Sequence, residues 1–408
     1  MRTLITYAYP DHDFWTAYSN LWENSIQKPV FQTPRFIQYL AQRFRQSIAI
    51  YQYYKDDKLV GAAFFRKDGN IYKLLSEIKA DYNFFVIDKN CQEEETRQFF
   101  QAFFKEVKKQ KWTLVLSYQP SWAPYMPSLK RAGKTGKLYL NISRHSVCPV
   151  LQTDTPEEMM ERFTKSKELK YSMNRLIKQQ GAQFEVFTDD TDIDAWSDQF
   201  CKCHVKRWRA TTTPSRYDTP DMQELNRECM RAWAKDHYLI RFSVRVGEER
   251  IAFNALLLQG DTVIGHAQAF DPEYHKFSPG KALMYCIGEW MLQNKITKLD
   301  FGKGGEAYKA NMTNLEPELH KIFISRYSNV AFVLKTQLET TLRSNSDLIR
   351  MYRQKIKPRL QGVQIMIGQQ TQRLFGKTKI SKSQEFGTLL AMFNIDLIDE
   401  FLLMSSLI

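Results

Sequence analysis

The sequence has no stretch of about 18 apolar residues, so no membrane-spanning helix is expected. Its most apolar run, FGTLLAMFNIDLIDEFLLMSSLI, is interrupted by Asp396, Asp399 and Glu400. MRTLITYAYPDHDFW shows no basic segment followed by an apolar one, so no secretory signal is expected there. Cysteine is sparse. The six thiols (Cys91, Cys148, Cys201, Cys203, Cys229 and Cys286) follow no framework spacing, which reads as reduced thiols in a cytoplasmic chain. Cys201, Cys203 and His204 lie close together, but on a helix the two cysteines point about 200° apart. No second ligand pair stands at zinc-finger spacing, so no metal is expected.

Acidic residues are the minority charge, 45 against 58 basic, for a net +13 over 408 residues. The excess is local. Lys335 to Lys382 holds eleven basic and two acidic residues, which is nine of the thirteen net charges. A hydrophobic content of 43% with 13% aromatics is ample for packed cores, and the length predicts two or three domains.

Two halves carry the same order of elements. In residues 1–150, DFWTAYSNLWENS and PRFIQYLAQRF have helical spacing. SIAIYQYY, KLVGAAFFR and NIYKLLS then read as a strand meander, followed by the helix EEETRQFFQAFFKEVKKQK and the strand WTLVLSYQP. In residues 151–330 a long helix over 156–181 is predicted, with Thr155 and Glu158 as a capping box and Gly181 as its stop. The strand AQFEVFT and helices IDAWSDQFCKCHVKRW and MQELNRECMRAWAKD come next. A second meander (LIRFSVRV, ERIAFNALLLQ, DTVIGHAQAF), the helix PGKALMYCIGEWMLQNK and the strand ITKLDF close the plan. KIFISRY reads as one further strand. Residues 331–408 read as a basic helical extension.

Two stretches carry candidate chemistry. LDFGKGGEAYKANMT fits the glycine pattern of a dinucleotide turn through Gly302, Gly304 and Ala307. A Rossmann turn, however, needs a following helix of ten or more residues, and Pro317 breaks the pattern first. A plain strand-end turn remains. The second stretch is DPEYHKFSPGKA, where a strand runs through a loop into a helix. A helix start presents unsatisfied N–H groups and a positive dipole end to phosphate, and Ser278, Pro279, Gly280, Lys281 and Ala282 form that start. An ordinary strand-to-helix connection would look similar.

The order of these parts resembles the GNAT acyltransferase core, and in particular the CelD-like acetyltransferases of polysaccharide biosynthesis, relatives of the Fem transferases. The resemblance rests on His204, Arg207-Trp208, Phe270-Asp271-Pro272-Glu273, Ser278-Pro279-Gly280, Asp300-Phe301-Gly302, Gly305-Glu306 and Tyr308-Lys309. Pro34-Arg35-Phe36, VGAAFF and Asp81-Tyr82 add to it in the first half. It covers roughly residues 30–325.

The resemblance implies an α/β protein of tandem GNAT-like domains, each a mixed, mainly antiparallel sheet with flanking helices, spanning 1–150 and 151–330. It implies an acetyl-CoA or other acyl-CoA co-substrate lying between two splayed parallel strands, with its pyrophosphate on residues 278–282. Direct attack by an amine on the thioester requires a base, an oxyanion donor and an acid for the thiolate. Glu306, Tyr308 and His266 are the proton-transfer candidates, with a buried structural histidine as the alternative at His266. Arg207, Trp208, Asp300 and Lys309 are the substrate-binding candidates. The expected acceptor is an amino sugar or a small or lipid-linked glycan precursor. The basic extension 335–382 is expected to touch an anionic membrane surface, and nucleic acid is not an expected partner. A Fem-like use of aminoacyl-tRNA and a non-catalytic binding module are the rival readings.

Overall fold

Turn chemistry sets the first meander. Asp56 and Asp57 both adopt left-handed backbone (φ 48° and 58°), the conformation of a two-residue hairpin turn whose twist matches the strands it joins. A computed structural model describes residues 1–76, 80–165, 167–209, 215–304, 309 and 312–344.

The first half runs β1 (Arg2–Thr6), α1 (His12–Glu23), α2 (Pro34–Arg43), β2 (Ile48–Lys55), β3 (Lys58–Asp68), β4 (Ile71–Leu74), β5 (Val86–Ile87), α3 (Glu93–Lys109), β6 (Leu114–Pro120), α4 (Met126–Thr135) and β7 (Tyr139–Val147). The second runs β8 (Val150–Gln152), α5 (Pro156–Thr164), α6 (Lys167–Gln180), β9 (Gln183–Phe187), α7 (Ile193–Trp208), α8 (Pro220–Lys235), β10 (Leu239–Val246), β11 (Glu249–Gln259), β12 (Thr262–Phe270), α9 (Pro279–Gln293), β13 (Lys298–Asp300) and β14 (Glu318–Ser325).

Among the described residues these strands form two sheets. The first has the order β1-β2-β3-β4-β6-β14-β7, with β5 paired to β3; the second has the order β8-β13-β12-β11-β10-β9. Each sheet is antiparallel except for one parallel pair, β4 with β6 and β12 with β13. The tandem GNAT-like α/β plan is therefore present, with a meander and one parallel pair in each half.

The strand read from KIFISRY does not extend the sheet of its own half. β14 enters the first sheet between β6 and β7 and pairs antiparallel with both. The predicted helix over 156–181 is two helices, α5 and α6. Thr155 does cap α5 by accepting from the Glu158 N–H (3.1 Å), but the Glu158 carboxylate accepts from Asp154 N–H rather than closing a box on Thr155. Gly181, at φ 62°, ends α6 as expected.

Amphipathicity places the cores. α3 opens with Glu93, Glu94 and Glu95 and buries Phe99, Phe100, Phe103, Phe104 and Val107 on one face. Each of these contributes about 1.5–3 kcal/mol of burial. β11 is buried on both faces. Phe253, Ala255 and Leu257 join the core shared with the first half, whereas Ile251, Ala252 and Leu256 face the core under α5, α6 and α9. That double burial makes its sequence nearly continuously apolar.

Residues 1–328 form one compact unit and the chain from Asn329 a second. Of the latter, the structure describes the helix α10 (Val330–Ser344), which carries an Arg343–Glu339 ion pair at 2.9 Å. The rest of the basic extension lies outside the described residues.

Candidate functional site

The site grows from the way β12 and β13 separate. They pair in parallel over Thr262↔Lys298, Val263↔Leu299 and Ile264↔Asp300. From there β12 continues to Phe270 along β11. The other chain turns towards the segment before β8, where Phe301 N–H and Gly304 N–H donate to the carbonyls of Pro149 (2.9 Å) and Val147 (3.0 Å). Gly302, at φ 72°, crosses against Gly265 at the point of separation.

A β-bulge marks the same point. The β11–β12 register runs from Ala255↔Ala267 to Leu256↔Gly265, so His266 is the inserted residue. Bulges turn a side chain out of the regular alternation. Here the His266 imidazole is buried, with its ring centroid 5.0 Å from Trp233 and 6.0 Å from Phe31. Of the other proton-transfer candidates, Glu306 and Tyr308 lie outside the described residues.

The start of α9 follows β12 through a short 3-10 helix, Pro272–Phe277. Ser278 has left-handed backbone (φ 53°), and Pro279 occupies the first helical position, where a missing N–H costs least. The N–H groups of Lys281 and Ala282 donate to the Ser278 carbonyl (2.9 and 3.2 Å). Because Pro279 has no N–H, this turn offers an anion few donors. Open space lies where a side chain at Gly280 would begin. Ala282 is buried, and the Lys281 ammonium pairs with the Glu168 carboxylate on α6, holding that carboxylate below its ordinary range.

α6 brings a residue that sequence reasoning missed. The Arg175 guanidinium donates to the Lys276 carbonyl (2.9 Å) and sits 4.9 Å from the Phe277 ring, adding positive charge beside the helix start. Nothing in the local sequence pairs residue 175 with residue 276.

The substrate-binding candidates fall into two places. Arg207 lies over the Phe270 ring (4.2 Å), and Trp208 stacks on His204 (5.7 Å, 17°), both near the far end of β12. There Lys206 bridges Asp271 (2.7 Å) and Glu273 (2.6 Å), which raises its ammonium well above the usual range. Asp300 and Lys309 instead belong to a buried charged cluster where β13 ends. Asp300 Oδ1 accepts from Gly302 N–H at 2.7 Å, and Lys309 Nζ approaches the carbonyls of Gly302 (3.4 Å) and Lys303 (3.5 Å). Burial, seconded by the charge of Asp81, pushes the Asp300 carboxyl up to about 8, against the opposing Gly302 N–H and Lys309.

Residues 164–310 match the family model of the acetyltransferase (GNAT) domain. The fold is GNAT-like. The matched span takes in the splay, the start of α9 and every candidate residue. Among solved structures, FemX has a TM-score of 0.55 at 10% identity, over 80% of this chain and 98% of that one. L-PGS from Bacillus licheniformis has a TM-score of 0.51 at 11% identity, over 81% and 97%. No curated protein matches the chain significantly. At such identities these neighbours speak to the fold alone. The likeness nevertheless spans both halves, whereas the family match covers only the second.

Proposed function

We propose that the protein is an acyl-CoA-dependent N-acyltransferase, with acetyl-CoA as the expected donor. It acts on the amino group of an amino sugar or glycan precursor in polysaccharide or cell-envelope synthesis, as the CelD-like resemblance implies. The observation that carries this reading is the separation of β12 from β13 at Ile264↔Asp300 inside the GNAT-matched span, with a bulge on the same strand. A thioester lying along such a splay can hydrogen-bond main-chain groups that a closed ladder would consume. The acceptor nitrogen adds to the thioester carbonyl, the C–S bond breaks, and the amine proton passes through a base while the thiolate is protonated on leaving. His266, Glu306 and Tyr308 are the candidates for those proton transfers. Arg207, Trp208, Asp300 and Lys309 are the candidates for holding the acceptor.

One observation favours a second donor. The start of α9 commits the Lys281 and Ala282 N–H groups to Ser278 and has none at Pro279, a meagre seat for a pyrophosphate. A Fem-like donor, aminoacyl-tRNA, does not require that seat. Thermal stabilisation of the full chain by acetyl-CoA, with and without excess tRNA, separates the readings. A rise in melting temperature with acetyl-CoA alone supports acyl-CoA. A rise with tRNA alone supports the Fem-like donor. No response to either leaves a non-catalytic module.

No helix among the described residues is long and apolar enough to cross a membrane. The proposed localisation is cytoplasmic, with the basic segment 335–382 resting on the anionic inner leaflet where lipid-linked acceptors are assembled.

A further inference from the structure

The first half has its own parallel pair, β4 with β6 at Tyr72↔Leu114 and Lys73↔Val115, the counterpart of the β12–β13 splay. There the gap is filled by the chain itself. Val86 and Ile87 pair with Ala62 and Gly61 of β3 on one side. On the other side Asn83 N–H donates to the Tyr118 carbonyl (3.0 Å), Asn83 Nδ2 to Ser117 (3.2 Å), and Gln119 Nε2 to the Asn83 carbonyl (2.7 Å). An arm running from Ala80 to Ile87 thus closes the place where a thioester would lie.

The same arm reaches the second half. Lys303 Nζ donates to the Ala80 carbonyl (2.9 Å), Lys303 N–H donates to Asp81 Oδ1 (3.3 Å), and the Lys303 ammonium lies over the Tyr118 ring at 3.9 Å. Asp81 and Asp300 are both buried, and they accept from the successive N–H groups of Lys303 and Gly302. Two carboxyls, one from each half, therefore grip the two residues at which the chain leaves β12. Removing a buried carboxyl from surface water normally requires an ammonium or several donors nearby, and Lys303 and Lys309 supply the charge.

We propose that Asp81 is a positioning residue for transfer at the β12–β13 splay: it fixes Lys303 in place beside the Gly302 that Asp300 holds, so that the half with the filled gap governs the half with the open one. This rests on the splay being the transfer site. Among the described residues, the charged and titratable groups facing the pair include Lys303 and Lys309 after β13 and the Cys148 thiol after β7; burial and Asp81 raise that thiol well above its ordinary value, while the two lysines oppose the shift. Replacing Asp81 by a neutral group removes one of the causes that raise the Asp300 carboxyl.

The test uses the full chain, acetyl-CoA, and D-glucosamine as probe acceptor, reading thiol release from pH 5.5 to 9.5. Asp81→Asn is expected to lower kcat by about 10- to 100-fold, with KM for acetyl-CoA changed by less than about twofold. It should also move the inflection contributed by Asp300 to lower pH, and Asp81→Glu should restore it. Lys309→Met, which removes a charge holding Asp300 down, should move it upward. A loss of rate by one factor at every pH, with the inflection unmoved, would overturn the proposal. Should the wild type release no thiol, the acyl-CoA reading fails instead, and hydrogen exchange still tests the grip. Asp81→Ala should speed exchange at the Lys303 amide at least tenfold and leave the β11–β12 amides unchanged. Equal exchange in the two proteins overturns the positioning role whatever the donor.

Discussion

Gly302→Ala tests the crossing at the splay directly. The residue has φ 72°, and a β-carbon there would stand 2.7 Å from the Gly265 carbonyl oxygen and 3.0 Å from Asp81 Oδ2. The left-handed conformation costs an L-residue about 1–2 kcal/mol. A methyl forced into filled space adds about 1–3 kcal/mol, and here one of the neighbours is main chain that cannot rotate aside. The expected loss is therefore about 2–5 kcal/mol. Gly69→Ala separates the two contributions, because Gly69 has φ 56° and nothing within 4 Å of its β-carbon position. It should lose only the conformational part, about 1–2 kcal/mol. Urea unfolding followed by tryptophan fluorescence, with midpoints and slopes compared across the three proteins, reads the difference. If the two variants lose the same stability, Gly302 does not meet Gly265 and Asp81 as described.

Three further outcomes follow from the site. Gly280→Asp places a carboxylate in open space at the start of α9 and should leave stability within about 0.5 kcal/mol while abolishing acetyl-CoA binding; calorimetry showing unchanged affinity removes the cofactor from that helix start. Glu306→Gln should lower turnover about 100-fold or more with KM for acyl-CoA nearly unchanged, whereas full activity would shift proton transfer to His266 or Tyr308. Asp300 titrates near 8 when folded against an ordinary 3.8, so the folded state holds a proton the unfolded chain has lost. Its contribution to stability is complete below about pH 4 and is lost as pH rises to about 8, at up to about 1.4 kcal/mol per unit. Asp300→Asn should flatten that fall, and parallel pH profiles for the two proteins in urea would refute it.

The meanders were legible because their turns are local: Asp56-Asp57, Gly247 and Gly260 all take left-handed backbone between strands with strong patterning. α3 and α9 were legible from periodicity and from Ser-Pro-Gly. What the sequence hid is partnership. KIFISRY has the signature of a strand, but nothing in its alternation says that β6 and β7 flank it. β5 and β8, of two and three residues, are too short for any period to register. From sequence His266 reads as a buried-strand histidine or a base, and the bulge that displaces it depends on register with β11 rather than on its neighbours in the chain. In the sequence Asp81 stands out only as part of a family pattern. Its contact with Lys303 spans 222 residues, and the charges of both ends look like surface charges until the fold buries them.

The position of β14 also has a consequence for biosynthesis. β6 and β7 are made early, yet the strand that lies between them is the last of the described strands to be translated. At about 5–20 residues per second, the interval from Val147 to Glu318 lasts roughly ten to thirty seconds. During that time the first sheet carries two unsatisfied strand edges on the ribosome, where another nascent chain could pair with them. The amino-terminal half is thus released from the risk of mispairing only by the carboxy-terminal one, and separating the halves into two genes at residue 150 would leave the first without the strand that joins β6 to β7.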